Sequence, residues 1–502
     1  MEQIGPENEE GCVEYKRKLT KLSAIRFQQL LTQMKWRLQE GNGQATYYIG
    51  IEDDGKVSNI SSEELDESIN TFKELVSNAD SEIKDLKIIG TSAKYAKIQI
   101  QKKYNKCPEI RIALIGETGH GKSSLISHLL YNENDDGKGS SRIKICRHSH
   151  ELLEGKTSSV GCYFIGIKEQ KIVNFTNDEN ADTILKKSEG IITLIDLPGY
   201  ERYSKSLYYG LFSYKPHYVL YLISSQDNFD QEKFQQKVAV CCFFQIPFII
   251  IITKQDTYNF EFEEMIKKMV LNHDLFINDT IKIMSVSVKN GYQIEELKKY
   301  LVNITESFLK LDREQNQNED NLLDKIFMIN DVMMNKNIGI IVNGIVLNGV
   351  IKVHDKLVFG PDKQQVIVKS IHINHQPHLT IDVDDMASLV IEQTESKKCI
   401  IDKYTNLYDE HVKNIASSSD KLSLVKEYII YVDTSLIQKM YVLFMDNIVE
   451  TILITQIIDE SKYQYRIKFL TNIFHDIKPF TKILLKNNEN NIFLGVVIAK
   501  TI

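Results

Sequence analysis

The residues with the clearest capacity for chemistry form the stretch GETGHGKS at positions 116–123. This stretch fits the phosphate-loop pattern G-x-x-x-x-G-K-S and lies between an apolar run, EIRIALI, and a helix-like run, SLISHLL. In such a loop, backbone N–H groups and the N-terminus of the helix attract phosphate oxygens. We therefore expect Lys122 to reach the β- and γ-phosphates of a nucleotide and the Ser123 hydroxyl to bind Mg²⁺. The residues expected to contact the phosphates are Gly116, Gly119, His120, Gly121, Lys122, Ser123 and Ser124.

A second apolar run, IITLIDLPG at positions 191–199, ends in the pattern D-x-x-G. Here Asp196 would lie beside the Mg²⁺ ion, and the Gly199 N–H would detect the γ-phosphate. The pattern is common on its own. It gains weight because it follows a strand, as the phosphate loop does, and α/β proteins bind ligands at the carboxyl ends of strands.

A third apolar run, PFIIIITKQD at positions 247–256, ends in T-K-x-D and indicates which base is bound. The Asp256 carboxylate can accept hydrogen bonds from guanine N1–H and N2–H₂, a donor pair that adenine lacks. Lys254 would pack along the base, and the SVK stretch at positions 287–289 could reach guanine O6 through a backbone N–H. These patterns together predict a site for GTP or GDP with Mg²⁺. The residues expected at its base end are Thr253, Lys254, Asp256, Ser287, Val288 and Lys289.

The composition is that of a soluble globular protein of several domains: 502 residues, 42% hydrophobic and 26% charged, with a net charge of −7. Without an overall positive charge, contact with nucleic acid would need a local basic patch, and we expect no DNA binding. Seven cysteines without a C-x-x-C pair indicate free thiols in a reducing compartment. The acidic N-terminus argues against a secretory signal, and no apolar run is long enough for a membrane span. We expect a cytoplasmic monomer.

The pattern of the chain changes along its length and predicts separate domains. Residues 1–20 have the character of a flexible polar tail, and residues 21–105 that of a small α+β domain. Residues 106–312 alternate strands with helices, which predicts an α/β domain with a parallel, doubly wound sheet. After a polar linker that begins at Asp312, two β-rich segments at 322–396 and 420–502 predict two antiparallel β-barrels.

A nucleotide domain followed by two β-barrels resembles the elongation factor Tu and elongation factor 1-alpha class. The stretch RIKICRHSHELLEGKTSSVG at 142–161 looks like the switch I region of the subfamily of GTP-binding protein 1 and GTP-binding protein 2. YYIGIEDDG at 47–55 and VKSIH at 368–372 are also similar to that subfamily, and the resemblance covers roughly residues 25–502. It implies that Thr157 is the switch I threonine, which binds Mg²⁺ when the γ-phosphate is present. The implied metal ligands are then Ser123, Thr157 and Asp196.

The resemblance also implies an activity and partners. Members of this class are GTPases that work with the ribosome and RNA, tRNA in particular, in translation elongation, ribosome rescue or mRNA surveillance. We therefore expect a protein that binds GTP–Mg²⁺, engages a ribosome and RNA, and hydrolyses GTP, with Lys122, Thr157 and Tyr200 as its catalytic candidates.

Three positions depart from the family pattern. Tyr200 follows D-x-x-G where the family has a histidine that orients the attacking water, and a phenol with a pKa near 10 cannot replace an imidazolium. Gly119 stands where an aspartate is usual, and Thr253 replaces the commoner asparagine, whose tie to the loop a hydroxyl can still make. His120 is expected to offer its backbone to phosphate rather than to act as a replacement catalyst.

Two alternatives remain open at this point. Because of Tyr200, the protein could be a GTP-binding interaction switch with weak hydrolysis. It could also be a metabolic relative, the GTPase subunit of ATP sulfurylase, although the N-terminal α+β unit and the switch I match disfavour that interpretation.

Overall fold

A computed structural model of the chain divides into two compact units, residues 1–106 with 376–379 and residues 107–375 with 380–502. The structure describes residues 5–500 except 7, 9–10, 42, 91–93, 103–106, 176–180, 227–228, 257–259, 272–280, 316–324, 360–363, 375, 395–400, 402–405, 410–426, 433–439, 446–447, 460–463, 470–481 and 487–491.

Within the described residues, the α-helices are α1 (Ala24–Glu40), α2 (Ser62–Asn78), α3 (Lys122–Tyr131), α4 (Ser149–Glu154), α5 (Ala181–Lys187), α6 (Ser204–Ser213), α7 (Gln231–Phe243), α8 (Phe260–Leu271) and α9 (Ile294–Gln315). The strands of the first unit and of the nucleotide domain are β1 (Val13–Lys16), β2 (Gln44–Ile49), β3 (Ser81–Ile89), β4 (Tyr95–Lys102), β5 (Glu109–Ile115), β6 (Gly161–Lys168), β7 (Lys171–Val173), β8 (Gly190–Asp196), β9 (Tyr218–Ser224), β10 (Phe248–Thr253) and β11 (Ile283–Ser285). The later strands are β12 (Ile326–Asn335), β13 (Gly339–Asn348), β14 (Ile351–Lys352), β15 (Lys356–Phe359), β16 (Gln364–Ile373), β17 (Gln376–His378), β18 (Thr380–Ile381), β19 (Met386–Gln393), β20 (Asn406–Asp409), β21 (Glu427–Val432), β22 (Met440–Met445), β23 (Ile448–Asp459), β24 (Gln464–Phe469), β25 (Lys482–Lys486) and β26 (Ile492–Lys500).

The first unit contains a four-stranded sheet in the order β1-β2-β4-β3, whose buried side chains share one core with those of α1 and α2. Helix α2 begins with the capping box that its sequence indicates, formed by Ser61 and Glu64. Strand β1 corrects the expectation of a flexible tail over residues 1–20, because it pairs in parallel with β2 and its Glu14 forms a buried ion pair with Arg37. These partners lie well away along the chain, so the local pattern of residues 1–20 gives no sign of them.

The nucleotide domain contains a seven-stranded sheet in the order β11-β10-β9-β5-β8-β6-β7. Strands β11, β10, β9, β5 and β8 run in parallel, and buried apolar clusters on the two faces make the sheet doubly wound, as predicted. The prediction of a parallel sheet is wrong at one edge, where β6 runs antiparallel to β8 and β7 antiparallel to β6. There the two-residue turn of Glu169 and Gln170, both at positive φ, forms a hairpin in place of a helical crossover.

The three sequence patterns follow three parallel strands of this sheet, of which β5 and β8 are adjacent and β10 is separated from β5 by β9. The phosphate loop follows β5, Asp196 ends β8, and Thr253 ends β10. Because the carboxyl ends of parallel strands meet at one edge of a sheet, the fold brings the three patterns together.

The remainder of the second unit is antiparallel β-structure. Strands β15-β20-β12-β13-β19-β16 follow one another, and pairing of β16 with β15 joins the two ends of the series. Strands β21-β24-β23-β22-β25-β26 form a closed barrel. The predicted linker begins later than expected, since α9 runs on to Gln315. The polar stretch SSSD at 417–420 lies outside the described residues. No helix within the described ranges is long and apolar enough to cross a membrane.

Candidate nucleotide-binding site

A cavity of about 440 Å³ opens where the phosphate loop, the D-x-x-G segment and the T-K-x-D segment meet. Most of the residues that the sequence predicts for nucleotide binding line this cavity. Its lining includes the predicted residues Gly119, Gly121, Lys122, Ser123, Ser124, Thr157, Gly199, Thr253, Lys254, Asp256, Ser287, Val288 and Lys289. The predicted residues Gly116, His120, Asp196 and Tyr200 do not line it.

Lys122 lies at the centre of the phosphate end. Its ammonium is buried and donates hydrogen bonds to the carbonyl oxygens of Gly116 at 2.9 Å and Glu117 at 3.0 Å. Burial lowers the pKa of Lys122 to about 8, against the opposing effect of the Asp196 charge. A phosphate group in the cavity would supply the anion that this buried cation lacks.

Gly199 packs so closely against the phosphate loop that no side chain fits there. A Cβ at this position would lie 2.6 Å from the carbonyl oxygen of Gly116 and 2.7 Å from the carbonyl carbon of Glu117, and closer still to the Lys122 ammonium. The D-x-x-G segment thus meets the phosphate loop through backbone, which is the contact that a γ-phosphate sensor needs.

The three predicted Mg²⁺ ligands converge beside the phosphate loop. The Ser123 hydroxyl donates to Asp196 Oδ2 at 2.7 Å and lies 3.0 Å from Thr157 Oγ1, which is itself 3.5 Å from Asp196 Oδ2. Burial raises the pKa of Asp196, and its Oδ1 atom is buried without a hydrogen-bond partner among the described residues. A buried oxygen without a partner, beside two hydroxyls, fits a hard divalent cation that prefers oxygen ligands.

At the base end, Asp256 is held by its neighbours. Its Oδ1 accepts a hydrogen bond from the Ser287 hydroxyl, and the Lys289 ammonium lies 3.7 Å from its Oδ2. The carboxylate is partly exposed to the cavity, so it can accept hydrogen bonds from a purine edge. Lys254, with a φ of 58°, also lines this end.

The ring of His120 is turned away from the cavity. Its Nδ1 lies 3.0 Å from the Leu222 carbonyl oxygen, and the residue is buried. That His120 is not a replacement catalyst stays a prediction. The structure also places the other two departures from the family pattern. The Thr253 hydroxyl donates to the His120 carbonyl, and a Cβ added at Gly119 would meet open space.

Tyr200 is placed differently from what a water-orienting residue requires. Its side chain is 38% exposed and packs edge-on against Tyr203, with ring centroids 5.9 Å apart. The Lys156 ammonium lies 4.0 Å from the centroid of the Tyr200 ring, and Lys156, unlike Tyr200, lines the cavity.

Sequence reasoning missed one wall of the cavity, the loop of residues 135–139. Asp135 organises this loop by accepting hydrogen bonds from the N–H groups of Gly137, Gly139 and Ser141 and from the Ser141 hydroxyl. The run DDGKGSS, rich in residues that form side-chain-to-backbone turns, carries a signal for such a loop but none for its place beside the nucleotide. The cavity-lining residues that were not predicted include Asp135, Gly137, Lys138, Gly139, Arg142, Gly155, Lys156 and Gln226.

Glu151 shapes the predicted switch I region. Its carboxylate accepts hydrogen bonds from the Ser158 N–H at 2.7 Å and the Ser158 hydroxyl at 2.8 Å, and it caps α4. Burial opposes ionisation, but these hydrogen bonds outweigh it and lower the pKa of Glu151. The ionised carboxylate fixes the turn that places Thr157 beside Ser123 and Asp196, the other predicted metal ligands.

The comparison with known sequences agrees with this site. Residues 108–307 match the elongation factor Tu GTP binding domain. GTP-binding protein 2 of Mus musculus is 29% identical over 393 residues, which cover 71% of this chain and 64% of that protein. GTP-binding protein 1 of Xenopus laevis is 26% identical over 405 residues, covering 74% of this chain and 61% of that protein. The chain thus spans less than two thirds of the length of these relatives.

Solved structures share the fold. The Ski7 GTPase-like domain of S. cerevisiae, bound to GTP, superposes with a TM-score of 0.59 at 14% identity, covering 78% of this chain and 97% of that one. A bacterial selenocysteine-specific elongation factor superposes with a TM-score of 0.56 at 18% identity, covering 78% of this chain and 58% of that one.

Proposed function

We propose, from the premise that this chain carries a GTP-binding domain of the elongation factor Tu class, that it is a translation factor that binds and hydrolyses GTP. One observation carries the proposal. A single cavity has the Ser123 and Thr157 hydroxyls and the unpaired Asp196 oxygen beside one end, and the Asp256 carboxylate at the other. This is the arrangement that a guanine nucleotide with a metal ion on its phosphates requires.

The residues at the phosphate end have distinct tasks in this proposal. The Lys122 ammonium binds the β- and γ-phosphate oxygens, and the Gly199 backbone N–H registers whether the γ-phosphate is present. Ser123, Thr157 and Asp196 hold Mg²⁺, which neutralises charge on the phosphates when it is bound.

Partners are proposed on the basis of the relatives. Among them are selenocysteine-specific elongation factors and elongation factor 1-alpha of Pyrococcus abyssi, the latter 27% identical over 283 residues. We propose that this protein acts in the cytoplasm as a monomer and engages the ribosome and RNA, specifically tRNA. The comparisons favour a translation factor that hydrolyses GTP over an interaction switch that barely hydrolyses it.

Nucleotide competition tests the base assignment. In this proposal Asp256 selects guanine, because adenine would leave its carboxylate without donors. Purified protein is titrated with a fluorescent GDP analogue, and GTP, GDP, ATP and XTP are used as competitors. We expect GTP and GDP to compete with the analogue and ATP to fail. In the Asp256→Asn variant XTP should compete better than GTP, since an amide reverses part of the donor–acceptor pattern. Equal competition by ATP and GTP would refute the guanine site.

The same titration with and without Mg²⁺ tests the metal assignment. Removal of Mg²⁺ should weaken GTP binding to the wild type, and Ser123→Ala should reduce this dependence on the metal by removing one oxygen ligand. The control is Ser307→Ala on α9, an exposed serine whose hydroxyl donates to the Asn303 carbonyl of its own helix. A Ser123→Ala variant with the same Mg²⁺ dependence as the Ser307→Ala control would contradict the role of Ser123 at the metal.

A further inference from the structure

Lys156 and Tyr200 join the two segments that close the phosphate end of the cavity. Lys156 directly precedes the metal-site residue Thr157, and Tyr200 directly follows Gly199. The 4.0 Å between the Lys156 ammonium and the Tyr200 ring centroid is a cation–π contact, in which the ring face attracts the positive charge. The contact therefore ties switch I to the D-x-x-G segment.

The charge of Lys156 is available to a ligand. Within the described residues, Lys156 makes no ion pair with a carboxylate, and the residue lines the cavity. Two other cations at the cavity are engaged: the Arg142 guanidinium donates to the carbonyl oxygens of Gly155 and Glu151, and the Lys289 ammonium lies near Asp256. Lys156 thus offers a positive charge next to the residues that surround the γ-phosphate.

Hydrolysis of GTP has a use for such a charge. Water attacks the γ-phosphorus, and the bond from that phosphorus to the β–γ bridging oxygen breaks. GDP leaves with the electron pair, and the proton of the water passes to inorganic phosphate. Negative charge on the γ-phosphoryl and bridging oxygens rises along this path, and a fixed cation beside them lowers the barrier.

We propose that Lys156 supplies this charge, and that Tyr200 positions it with the face of its ring. The proposal rests on the proposed GTPase function and deepens it by assigning the cation that a phenol at position 200 cannot itself provide. Tyr200 is then a positioning residue whose aromatic face matters and whose hydroxyl does not.

Substitutions separate charge from ring. Lys156→Met removes the charge but keeps a flexible chain that packs on the ring, and Lys156→Arg keeps the charge. Tyr200→Phe keeps the ring, and Tyr200→Leu removes it. Lys205→Met, an exposed lysine on α6, is the control for loss of a lysine near the switch segments. Each variant of the full chain is assayed for single-turnover GTP hydrolysis and for the ratio of its affinities for GTPγS and GDP.

We expect Lys156→Met to slow hydrolysis on the order of tenfold or more and to reduce the preference for GTPγS over GDP, because a charge near the γ-phosphate serves both. Lys205→Met should stay near the wild type. Lys156→Arg should restore most of the rate and ratio lost in Lys156→Met, and the defect of Tyr200→Phe should be much smaller than that of Tyr200→Leu. Tyr200→Leu should resemble Lys156→Met, and the double variant Lys156→Met with Tyr200→Leu should be no slower than either single one, since the two residues act as a unit.

Several results would overturn the proposal: an unaltered rate and ratio in Lys156→Met, failure of Lys156→Arg to rescue, or a Tyr200→Phe defect as large as that of Tyr200→Leu. Failure of the GTPase function itself looks different. A wild-type protein that binds GTP without hydrolysing it sinks the enzymatic proposal, and the affinity ratio alone then decides the role of Lys156. A wild-type protein that binds neither nucleotide overturns both.

Discussion

The Thr253 hydroxyl, at the end of β10, donates a hydrogen bond of 2.9 Å to the backbone carbonyl of His120 in the phosphate loop. The same hydroxyl lies 3.2 Å from the Ile223 carbonyl oxygen at the end of β9. The T-K-x-D segment thereby holds the phosphate loop directly, with a threonine in place of the usual asparagine.

Removing this hydroxyl should loosen the loop. Thr253→Val keeps the shape of the side chain but leaves buried carbonyls without their donor, a loss of about 1–3 kcal/mol. We expect nucleotide affinity to fall by roughly tenfold. The rest of the lost free energy should appear as lower stability of the free protein. Titration with a fluorescent GDP analogue measures the effect. Thr253→Ser retains the hydroxyl and is the matched control, and equal affinities for the Val and Ser variants would contradict the role of the bond.

Gly199→Ala should displace the D-x-x-G segment from the phosphate loop. The added methyl meets the Gly116 carbonyl oxygen at 2.6 Å, and backbone cannot move aside as the tip of a side chain can. We expect GTP hydrolysis to be lost while GDP binding persists, because GDP lacks the γ-phosphate that Gly199 is proposed to contact. Gly119→Ala provides the contrast, since space around Gly119 is open and only its positive φ is strained. Normal hydrolysis by Gly199→Ala would show that the close contact is dispensable.

The lowered pKa of Lys122 should make nucleotide binding take up a proton. In the free protein burial lowers this pKa to about 8, so near pH 8 a fraction of the molecules carries a neutral lysine, whereas phosphate binding favours the charged form. Affinity should therefore decline as the pH rises above 8. Calorimetric titration with GDP at pH 8 in buffers of different ionisation enthalpy should report net uptake of protons on binding. Lys122→Met should show none; uptake unchanged in that variant would assign the proton to another group.

Arg111 and Asp384 should contribute to stability in a pH-dependent way. The buried Arg111 guanidinium on β5 contacts the Asp384 carboxylate and donates to its backbone oxygen at 2.8 Å, and His217 Nε2 lies 2.7 Å from the same carboxylate. Burial raises the pKa of Asp384, but the hydrogen bond with His217 and the charge of Arg111 outweigh it, so the net pKa is lowered. The stabilisation is present above the unfolded pKa near 4 and is lost as the pH falls through the lower folded value.

Because Asp384 is half exposed, Asp384→Asn should cost no more than about 1 kcal/mol at pH 7. The cost should vanish at low pH, where the wild-type carboxyl is protonated. Denaturant unfolding of both proteins at pH 7 and at the lowest pH that keeps them folded measures this convergence. A difference independent of pH would mean that the ion pair is not its source.

The sequence predicts well which short patterns the fold brings to one cavity, where those patterns are local. The phosphate loop, Asp196 and Asp256 each belong to a short pattern at the end of an apolar strand, and parallel strands then bring these patterns to one edge. The six-stranded barrel of β21–β26 is likewise predicted by its runs of β-rich sequence.

Other features depend on contacts that no local pattern encodes. Strand β1 pairs with β2, which comes after helix α1 in the sequence, and its Glu14 forms an ion pair with Arg37 of that helix. Because both partners are distant along the chain, the sequence of residues 1–20 alone resembles a tail. The antiparallel strand β6 has the same apolar character as the parallel strands beside it, and periodicity does not give direction. The contact of Lys156 with Tyr200 joins two segments whose relative position comes only from the folded sheet.

Single-turnover hydrolysis of GTP, with and without ribosomes, tests the central claim most directly. The proposed function predicts that the purified protein with Mg²⁺ converts bound GTP to GDP and phosphate and that ribosomes accelerate the reaction at least roughly tenfold, as added positioning of the reacting groups can. The same experiment on Asp256→Asn supplied with GTP should show little turnover. Tight GTP binding without any hydrolysis, even at saturating ribosome concentrations, would contradict the account of this protein as a GTP-hydrolysing translation factor.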